Sequence, residues 1–387
     1  MLAWLVLVCA QDGAGDALAP GPAEEKARAD EGVEAQEPSR WIDPEDGWFD
    51  VSDFLEQPHG FLPLIVPITE PALGYGAVGA AVFLQPREEA GAEGWARPNI
   101  TAVGGLWTED GSDGVFAGNS SIWSGGDVHT LVGGGSLGLE LEFHGVGDDA
   151  LLGDDPLAFQ LDLWGARAEA RWRLEDSDFW LMGRFAFADC EVTFHGAPGA
   201  LVEDDEITLS GPGLGVRYDS LNNLFTPTHG TLSETTANVF DDAFGGSRDF
   251  QSLQQVLIRY WELHERLFLG ARADAQFSFG DTPFYALPYI QLRGIPALRY
   301  QGEEVVDLEL ELRWQFYERF SVVAFGGAGM AWVDLEEFES EESAFSEGLG
   351  VRYELARKFG LHAGLDVARG PEENAIYLQF GSAWVRP

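Results

Sequence analysis

The chain has 387 residues, of which 45% are hydrophobic, and it contains 48 Gly, 13 Trp and 26 Phe. Its 65 acidic residues against 23 Lys and Arg give a formal net charge of −42, which argues against nucleic acid as a partner because phosphate binding needs Lys and Arg. Abundant glycine and aromatic residues favour many strands separated by tight turns. The acidity fits either attraction of cations or a high-salt habitat.

The first ten residues, MLAWLVLVCA, have the apolar core and small last residue of a secretory signal, with cleavage expected after Ala10. They lack a basic residue near the start, which suggests a start codon further upstream. Cleavage would leave Cys190 as the remaining cysteine, and this excludes an intramolecular disulfide. We therefore expect a signal peptide over residues 1–10 and export of the mature chain.

Residues 11–56 differ from the rest of the chain in composition. They hold 14 Asp or Glu against 3 Lys or Arg and show little hydrophobic periodicity. High net charge with low periodicity predicts disorder. We expect an acidic disordered leader over 11–56, followed by one folded domain over 57–387.

From about residue 60 the chain alternates apolar and polar residues with the period of a β-strand. In residues 307–316, DLELELRWQF, the apolar and charged side chains fall on opposite faces. Residues 266–279 repeat the pattern, and residues 376–384 place Trp384 on the apolar face and Gly381 on the other. The domain is therefore predicted to be all-β.

A soluble β-sandwich and a membrane β-barrel both show such alternation. Many segments here are long enough to cross a bilayer at a tilt, which takes about 9–11 residues. Aromatic residues collect at segment ends, and short turns alternate with longer acidic ones, as expected for periplasmic turns and external loops. Together with the export signal, these features predict a transmembrane antiparallel β-barrel in the bacterial outer membrane.

Fifteen segments have strand character, and a barrel with both ends in the periplasm needs an even number, so we predict sixteen strands with the missing one near residues 60–68. In segment 159–174 the apolar phase switches part-way, which predicts a bulge near Trp164–Gly165. The fifteen segments are 74–85, 99–108, 114–124, 128–143, 159–174, 179–195, 206–219, 230–241, 250–263, 266–280, 303–317, 320–333, 345–354, 361–369 and 375–384.

Two short motifs resemble enzyme motifs without their context. GGSLG at 134–138 matches a nucleophile elbow and GYGAVG at 74–79 matches a dinucleotide fingerprint, but no helix is expected to follow either. The seven His residues lack metal-ligand spacing, and the acidic loop 147–155 is explained more simply as a solvated loop than as a weak divalent-cation site. We expect no catalysis, no cofactor and no metal.

Four segments together resemble one family: LRGIPALRYQG at 292–302, RYDSLNNLFTPTHGT at 217–231, ELRW at 311–314 and GLDVARGPEENAIYLQFGSAW at 364–384. Over roughly residues 60–384, the chain resembles the barrel domain of the BamA/TamA-type outer-membrane assembly factors, also called bacterial surface antigens. The resemblance implies a sixteen-stranded barrel whose sixth external loop folds into the lumen. Five strands are predicted to follow that loop, as in the family.

The resemblance gives the Arg-Gly motif of this loop a role, which is to pair with acidic side chains on the inner wall. The loop motif is Leu292, Arg293, Gly294 and Ile295. An arginine fork binds carboxylates bidentately, and alternation places Glu309, Glu311 and Asp366 on the lumen side as candidate partners. The alternative is an ordinary surface arginine.

One position departs from the family pattern. The family often carries an aspartate in an F-x-D-x-G pattern on the second strand after the loop, whereas FGGAG at 325–329 has Gly327 there. The partner of Arg293 must therefore lie elsewhere.

The resemblance also implies a lateral seam between the first and last strands that opens and locally thins the bilayer. Glycines in these strands would weaken the seam; the seam residues predicted are Gly74, Gly76, Gly79, Gly381 and Trp384. The partners implied are outer-membrane lipid and lipopolysaccharide, client proteins, and a periplasmic partner. That partner would supply the function of the POTRA domains, since no segment of this chain is expected to form one.

Three functions remain open at this stage. The first is a barrel that helps to insert or translocate protein or lipid at the outer membrane, without covalent chemistry. The second is a passive channel that prefers cations because its loops and part of its lumen are acidic. The third is a plugged structural or surface-adhesive barrel.

Overall fold

The computed structural model describes residues 41–56, 60–87, 97–146, 156–175, 177–195, 205–333 and 342–385. The predicted signal peptide (1–10), residues 11–40 of the predicted leader and the acidic loop 147–155 lie outside these ranges. None of the described helices is long and apolar enough to cross a membrane.

The described chain forms one sixteen-stranded antiparallel sheet in which each strand pairs with its neighbours in sequence. This confirms the predicted fold class, and the sixteenth strand lies at the expected place, over Gly60–Ile68. The strands are β1 (Gly60–Ile68), β2 (Gly76–Gln85), β3 (Asn99–Thr108), β4 (Asp113–Trp123), β5 (Val128–Phe143), β6 (Leu157–Arg173), β7 (Phe179–Phe194), β8 (Asp205–Asp219), β9 (Gly230–Phe240), β10 (Phe250–His264), β11 (Leu267–Gly280), β12 (Glu304–Tyr317), β13 (Phe320–Trp332), β14 (Glu342–Ala356), β15 (Leu361–Arg369) and β16 (Asn374–Phe380).

The sheet curls into a nearly closed barrel with an apolar outer face. In β12, the outward side chains Leu308, Leu310 and Leu312 are 40 to 48% exposed, while the inward carboxylates Asp307 and Glu309 are buried. This is the alternation that the sequence predicted, with the apolar face turned to lipid and the charged face turned to the lumen.

The predicted bulge in β6 is absent. The pairing of β6 with β5 is unbroken from Leu157, opposite Phe143, to Trp172, opposite Val128. The apolar phase switches because β6 is 17 residues long, which is more than the bilayer requires. On the N-terminal side of Trp164, the outward face of β6 carries Asp162. The inward side chains of this part of the strand are apolar and buried in the barrel interior.

The long connection between β11 and β12, residues 281–303, enters the barrel and forms its core. On one side, Tyr285 and Leu298 pack against inward leucines and Phe159 of β5 and β6. On the other side, Ile290 and Leu292 pack with Val305 of β12 and small residues of β13 and β14. Because β5–β6 and β12–β14 lie on opposite walls, the loop spans the lumen. We call residues 281–303 the lumen loop.

Residues 41–56 form a defined segment, which corrects the prediction of disorder for this part of the leader. The segment contains an antiparallel bridge between Ile42 and Phe49 and one short helix, α1 (Ser52–Glu56). It packs against the turns β12–β13 and β14–β15 at the end of the barrel where the strands β13 and β15 begin. Its acidic residues are held in place by arginines on these turns, a long-range pairing that local composition does not reveal.

Candidate functional site

The tip of the lumen loop is a tight turn at the predicted motif. Gly294 has φ +90°, a conformation that favours glycine. Its N–H donates to the Tyr377 hydroxyl at 2.9 Å, and a Cβ at this position would lie 3.1 Å from Ala368 Cβ and from the Gly370 nitrogen. Glycine is therefore required both by the backbone conformation and by the close approach to the wall.

Arg293 reaches all three carboxylates that the sequence proposed for it. Its Nε donates to Glu309 Oε1 at 2.8 Å and its Nη1 to Asp366 Oδ2 at 2.9 Å. Glu311 Oε2 lies 2.8 Å from Nη1 as an ion pair without hydrogen-bond alignment. The guanidinium also stacks 3.6 Å above the ring of Phe325. With 8% of its surface exposed, Arg293 is a buried anchor and not a surface arginine.

The rest of the loop motif is apolar and equally buried. Leu292 and Ile295 each keep 4% of their surface exposed, within one cluster of buried side chains from the loop and from β12–β14. A Cβ on Gly327 would lie 2.7 Å from Leu292 Cδ2. Gly327 therefore makes room for Leu292, which explains physically why no acidic residue stands there.

Two further arginines, which were not predicted as site residues, complete the network. Arg352 holds Asp366 with both of its terminal nitrogens, Nη1 to Oδ1 and Nη2 to Oδ2. Arg272 binds Asp307 and Asp274 and also donates to the carbonyl of Gln291, next to the loop motif. Both arginines occupy lumen-facing positions of their strands. The alternation of apolar and polar residues in the sequence could therefore have identified them.

The seam lies between β1 and β16. These two strands are the ends of the sheet order, and among the described residues no backbone ladder joins them. β1 has 9 residues and β16 has 7. Each strand therefore presents an edge of unpaired backbone groups.

The predicted seam glycines on the first side are misplaced, because the first strand of the sheet is β1 and all three glycines follow it in the chain. Gly74 lies in the connection between β1 and β2, with φ +70°. Gly76 and Gly79 lie in β2, where they face Ile68 and Ile65 of β1. They are one strand away from the seam and do not form its edge.

The C-terminal residues leave the sheet at Gly381, which has φ +74° and whose N–H donates to the His362 carbonyl at 2.7 Å. The prediction that Trp384 ends the last strand on its lipid-facing side is therefore wrong. The indole of Trp384 enters the barrel, lies 5.8 Å from the Tyr260 ring and donates from Nε1 to Glu309 Oε2. One carboxylate, Glu309, thus binds both the loop motif and the C-terminal segment.

The C-terminal segment continues across the lumen. Val385 is 4% exposed and packs with Leu232 and Ile258, which belong to β9 and β10 on the wall opposite β16. The β8–β9 connection joins it, since the Phe225 carbonyl accepts from the N–H of Ser382 at 2.6 Å. We call residues 381–385 the C-terminal plug. The lumen is thus crossed at two levels.

Known protein structures share this architecture. No protein-family model and no curated protein matches the sequence. Among solved structures, the chain is similar to BamA from Haemophilus ducreyi lacking POTRA domains 1–3, with a TM-score of 0.55, 12% identity and coverage of 89% of this chain and 80% of that one. The chain has the BamA-type barrel fold.

The CdiB proteins share the same barrel. CdiB from Escherichia coli matches with a TM-score of 0.56 and 11% identity, over 85% of this chain and 68% of that one. CdiB from Acinetobacter baumannii matches with a TM-score of 0.51 and 10% identity, over 84% of this chain and 60% of that one. These neighbours are bacterial outer-membrane β-barrels, which agrees with the predicted class of protein.

Proposed function

We propose that this protein is an outer-membrane barrel that assists the insertion or translocation of protein or lipid through the seam between β1 and β16. The observation that carries the proposal is the unpaired edge on each side of the seam, in a sheet whose other neighbouring strands are all hydrogen-bonded to each other. An exposed edge can pair with a strand of another chain by backbone hydrogen bonds alone. Such assistance needs no covalent step and no cofactor.

The lumen loop and its anchor support this function over a passive channel. A pore conducts through its lumen, whereas here the loop and the C-terminal plug cross it at two levels. Transfer at the seam leaves the lumen filled, so an occluded barrel remains competent for it. The partners of this activity would be client proteins, outer-membrane lipid with lipopolysaccharide, and a periplasmic protein that delivers clients as POTRA domains do in the resembled family.

A photo-crosslinking experiment tests the proposal. A photoreactive amino acid is placed at Ile65 in β1 or at Ile376 in β16, both lipid-exposed at the seam, and at Leu310 in β12 as a matched lipid-exposed control. During folding of an unfolded outer-membrane barrel into vesicles that contain the protein, we expect crosslinks from the two seam positions. Equal yields at Leu310, or no acceleration of client folding, would contradict the proposal.

A plugged structural barrel is the second candidate, and the doubly crossed lumen favours it as well. The same experiment separates the two functions. A structural barrel gives no seam-specific crosslinks and leaves the rate of client folding at that of empty vesicles.

A further inference from the structure

One buried arginine makes several of the contacts that hold residues 41–56 on the barrel. Arg319, in the β12–β13 turn, is 2% exposed. Its guanidinium contacts three carboxylates of the segment: Nη2 with Asp43 at 2.6 Å, Nε with Asp46 at 2.5 Å and Nη1 with Asp50 at 2.7 Å. An arginine enclosed by three carboxylates is an anchor that water does not easily displace, because the guanidinium and its partners are largely desolvated together.

Further contacts continue toward the seam. The N–H of Val51 donates to the Leu355 carbonyl at 2.9 Å, and the Asp50 carboxylate accepts from the N–H of Arg357 at 3.0 Å. At the end of α1, Glu56 accepts from Lys358 Nζ at 2.7 Å. The segment therefore passes from the β12–β13 turn to the β14–β15 turn and ends there.

Aromatic packing holds the segment on the rim of the barrel. The ring of Trp48 packs edge-on against Phe320 with 5.5 Å between centroids, and its Nε1 donates to Glu318 at 2.7 Å. The Tyr353 hydroxyl donates to the Phe49 carbonyl at 2.6 Å. The contact therefore combines buried charge pairing with apolar packing.

The described residues on either side of positions 57–59 lie on opposite sides of the seam. Glu56 lies beside the β14–β15 turn, and β1 begins four peptide steps later at Gly60, on the far side of the gap after β16. Four steps span at most about 14 Å. Strands in a sheet lie about 4.8 Å apart, so β15 and β1 would be about 10 Å apart with the seam shut.

We propose that residues 41–56 act as a strap that limits how far the seam can open at this end of the barrel. While Arg319 holds the strap, the covalent reach leaves about 4 Å of further opening between β16 and β1, which is less than the about 4.8 Å that one additional strand occupies. Release of the strap removes this limit on the width of the seam. The strap would regulate the proposed seam function, and its biological role rests on that function. The width of the seam can nevertheless be measured without any client.

Spin-label distances at the seam test the strap. Labels are attached to cysteines replacing Phe61 in β1 and Phe380 in β16, which are outward-facing and exposed, in full-length protein with Cys9 and Cys190 replaced by Ala. Pulsed dipolar spectroscopy in vesicles reports the distance distribution. Arg319→Ala releases the anchor, and insertion of six Gly and Ser residues after Glu56 lengthens the tether without touching the anchor. Arg248→Ala, which removes the exposed pair with Asp281, is the control.

We expect a narrow distribution in the unmodified strap and in Arg248→Ala. Both Arg319→Ala and the insertion should broaden the distribution and extend it to distances about 5 Å or more, one strand spacing, beyond the longest distances in the unmodified protein. An insertion that leaves the distribution unchanged overturns the strap, even if Arg319→Ala fails to fold. A shift in only one of the two variants overturns it as well. Loss of client crosslinking with these distance shifts intact would instead reject the proposed insertion function.

Discussion

At the scale of single residues, the environment of Arg293 decides what the lumen loop can do. Its guanidinium is buried among Glu309, Glu311 and Asp366. A buried ion pair adds little net stability compared with well-packed apolar groups, but removal of one partner leaves uncompensated buried charge at a cost of about 3–5 kcal/mol. Arg293 therefore fixes the position of the loop more than it stabilises the barrel.

Arg293→Ala should release the loop tip. The three carboxylates would then keep Arg352 nearby but lose the cation of the loop, and water would enter to solvate them. We expect low conductance from the unmodified protein in planar bilayers and brief openings from the variant. Arg299→Ala is the matched control in the same loop, because its pair with Glu372 is partly exposed and worth about 0–1 kcal/mol. Identical traces from all three proteins would show that Arg293 anchors nothing.

Gly294→Ala tests the close approach of the loop to the wall. The new methyl group would meet Ala368 and Gly370 in a backbone conformation that costs about 1–3 kcal/mol for a residue with a side chain. Gly245→Ala provides the control, since Gly245 has a similar φ of +88° but no atom within 4 Å of the place that a Cβ would occupy. We expect channel openings from Gly294→Ala alone; openings from both variants would attribute the effect to backbone strain.

At the scale of elements, β6 shows how strand length sets the polarity of each face. Its outward residues are apolar between Trp164 and Trp172 and polar at Asp162, while its inward residues follow the opposite course. The strand thus passes through two environments, lipid around one part and water around its extension.

Arginine substitutions along β6 should map this boundary. Ala168→Arg places a charge in the apolar band, at a cost of about 2–4 kcal/mol in the free energy of unfolding, whereas Asp162→Arg should cost about 0–1 kcal/mol. Reversible unfolding in lipid vesicles measures both values. Equal costs at the two positions would mean that the bilayer extends to Asp162.

The strap should undock in acid. Burial raises the pKa of Asp46 and Asp50, but hydrogen bonds from Arg319 and from neighbouring hydroxyl and amide groups outweigh it and hold both pKa values below the ordinary 3.8. A lowered pKa in the docked state adds stability above pH 3.8 that disappears as the pH falls through the lowered values. The protection of residues 41–56 against hydrogen exchange, corrected for the intrinsic rate, should therefore fall below about pH 3.8 relative to that of the β10–β11 amides.

The double variant Asp46→Asn, Asp50→Asn supplies the control for this pH dependence. It should exchange rapidly already at about pH 7 and show little further change in acid, since the titrating groups are gone. Equal acid dependence of this protection in the unmodified protein and in the double variant would contradict the role of these carboxylates.

At the scale of the whole molecule, two segments cross the lumen at different levels. The lumen loop crosses between β5–β6 and β12–β14, and the C-terminal plug crosses between β16 and β9–β10. Because ions must pass both barriers, opening one leaves the other in place. The Arg293→Ala, Trp384→Ala double variant should conduct steadily and exceed the sum of the two single variants. Simple additivity would show that the two barriers do not lie in series.

The acidity of the chain does not make the lumen an acidic filter. Buried lumen carboxylates in the described strands are matched by arginines, as in Glu169 with Arg171, Asp219 with Arg217, Asp274 with Arg272 and Asp366 with Arg352. The net charge of −42 therefore reflects acidic residues elsewhere in the chain. This pairing removes the lumen part of the argument for a cation-preferring pore and leaves the part that rests on the acidic loops.

The sequence by itself determined the strand periodicity, the even strand number and the lumen-side position of Glu309, Glu311 and Asp366. The periodicity and the lumen-side positions follow from the alternation of side chains along a strand, which is a local constraint. The even strand number follows from having both chain ends on one side of the membrane. Only the tertiary structure decided that Trp384 turns inward at Gly381, that β6 continues without a bulge and that Arg319 captures Asp43, Asp46 and Asp50. Those features depend on contacts between residues up to 276 positions apart, which alternation along a strand does not encode.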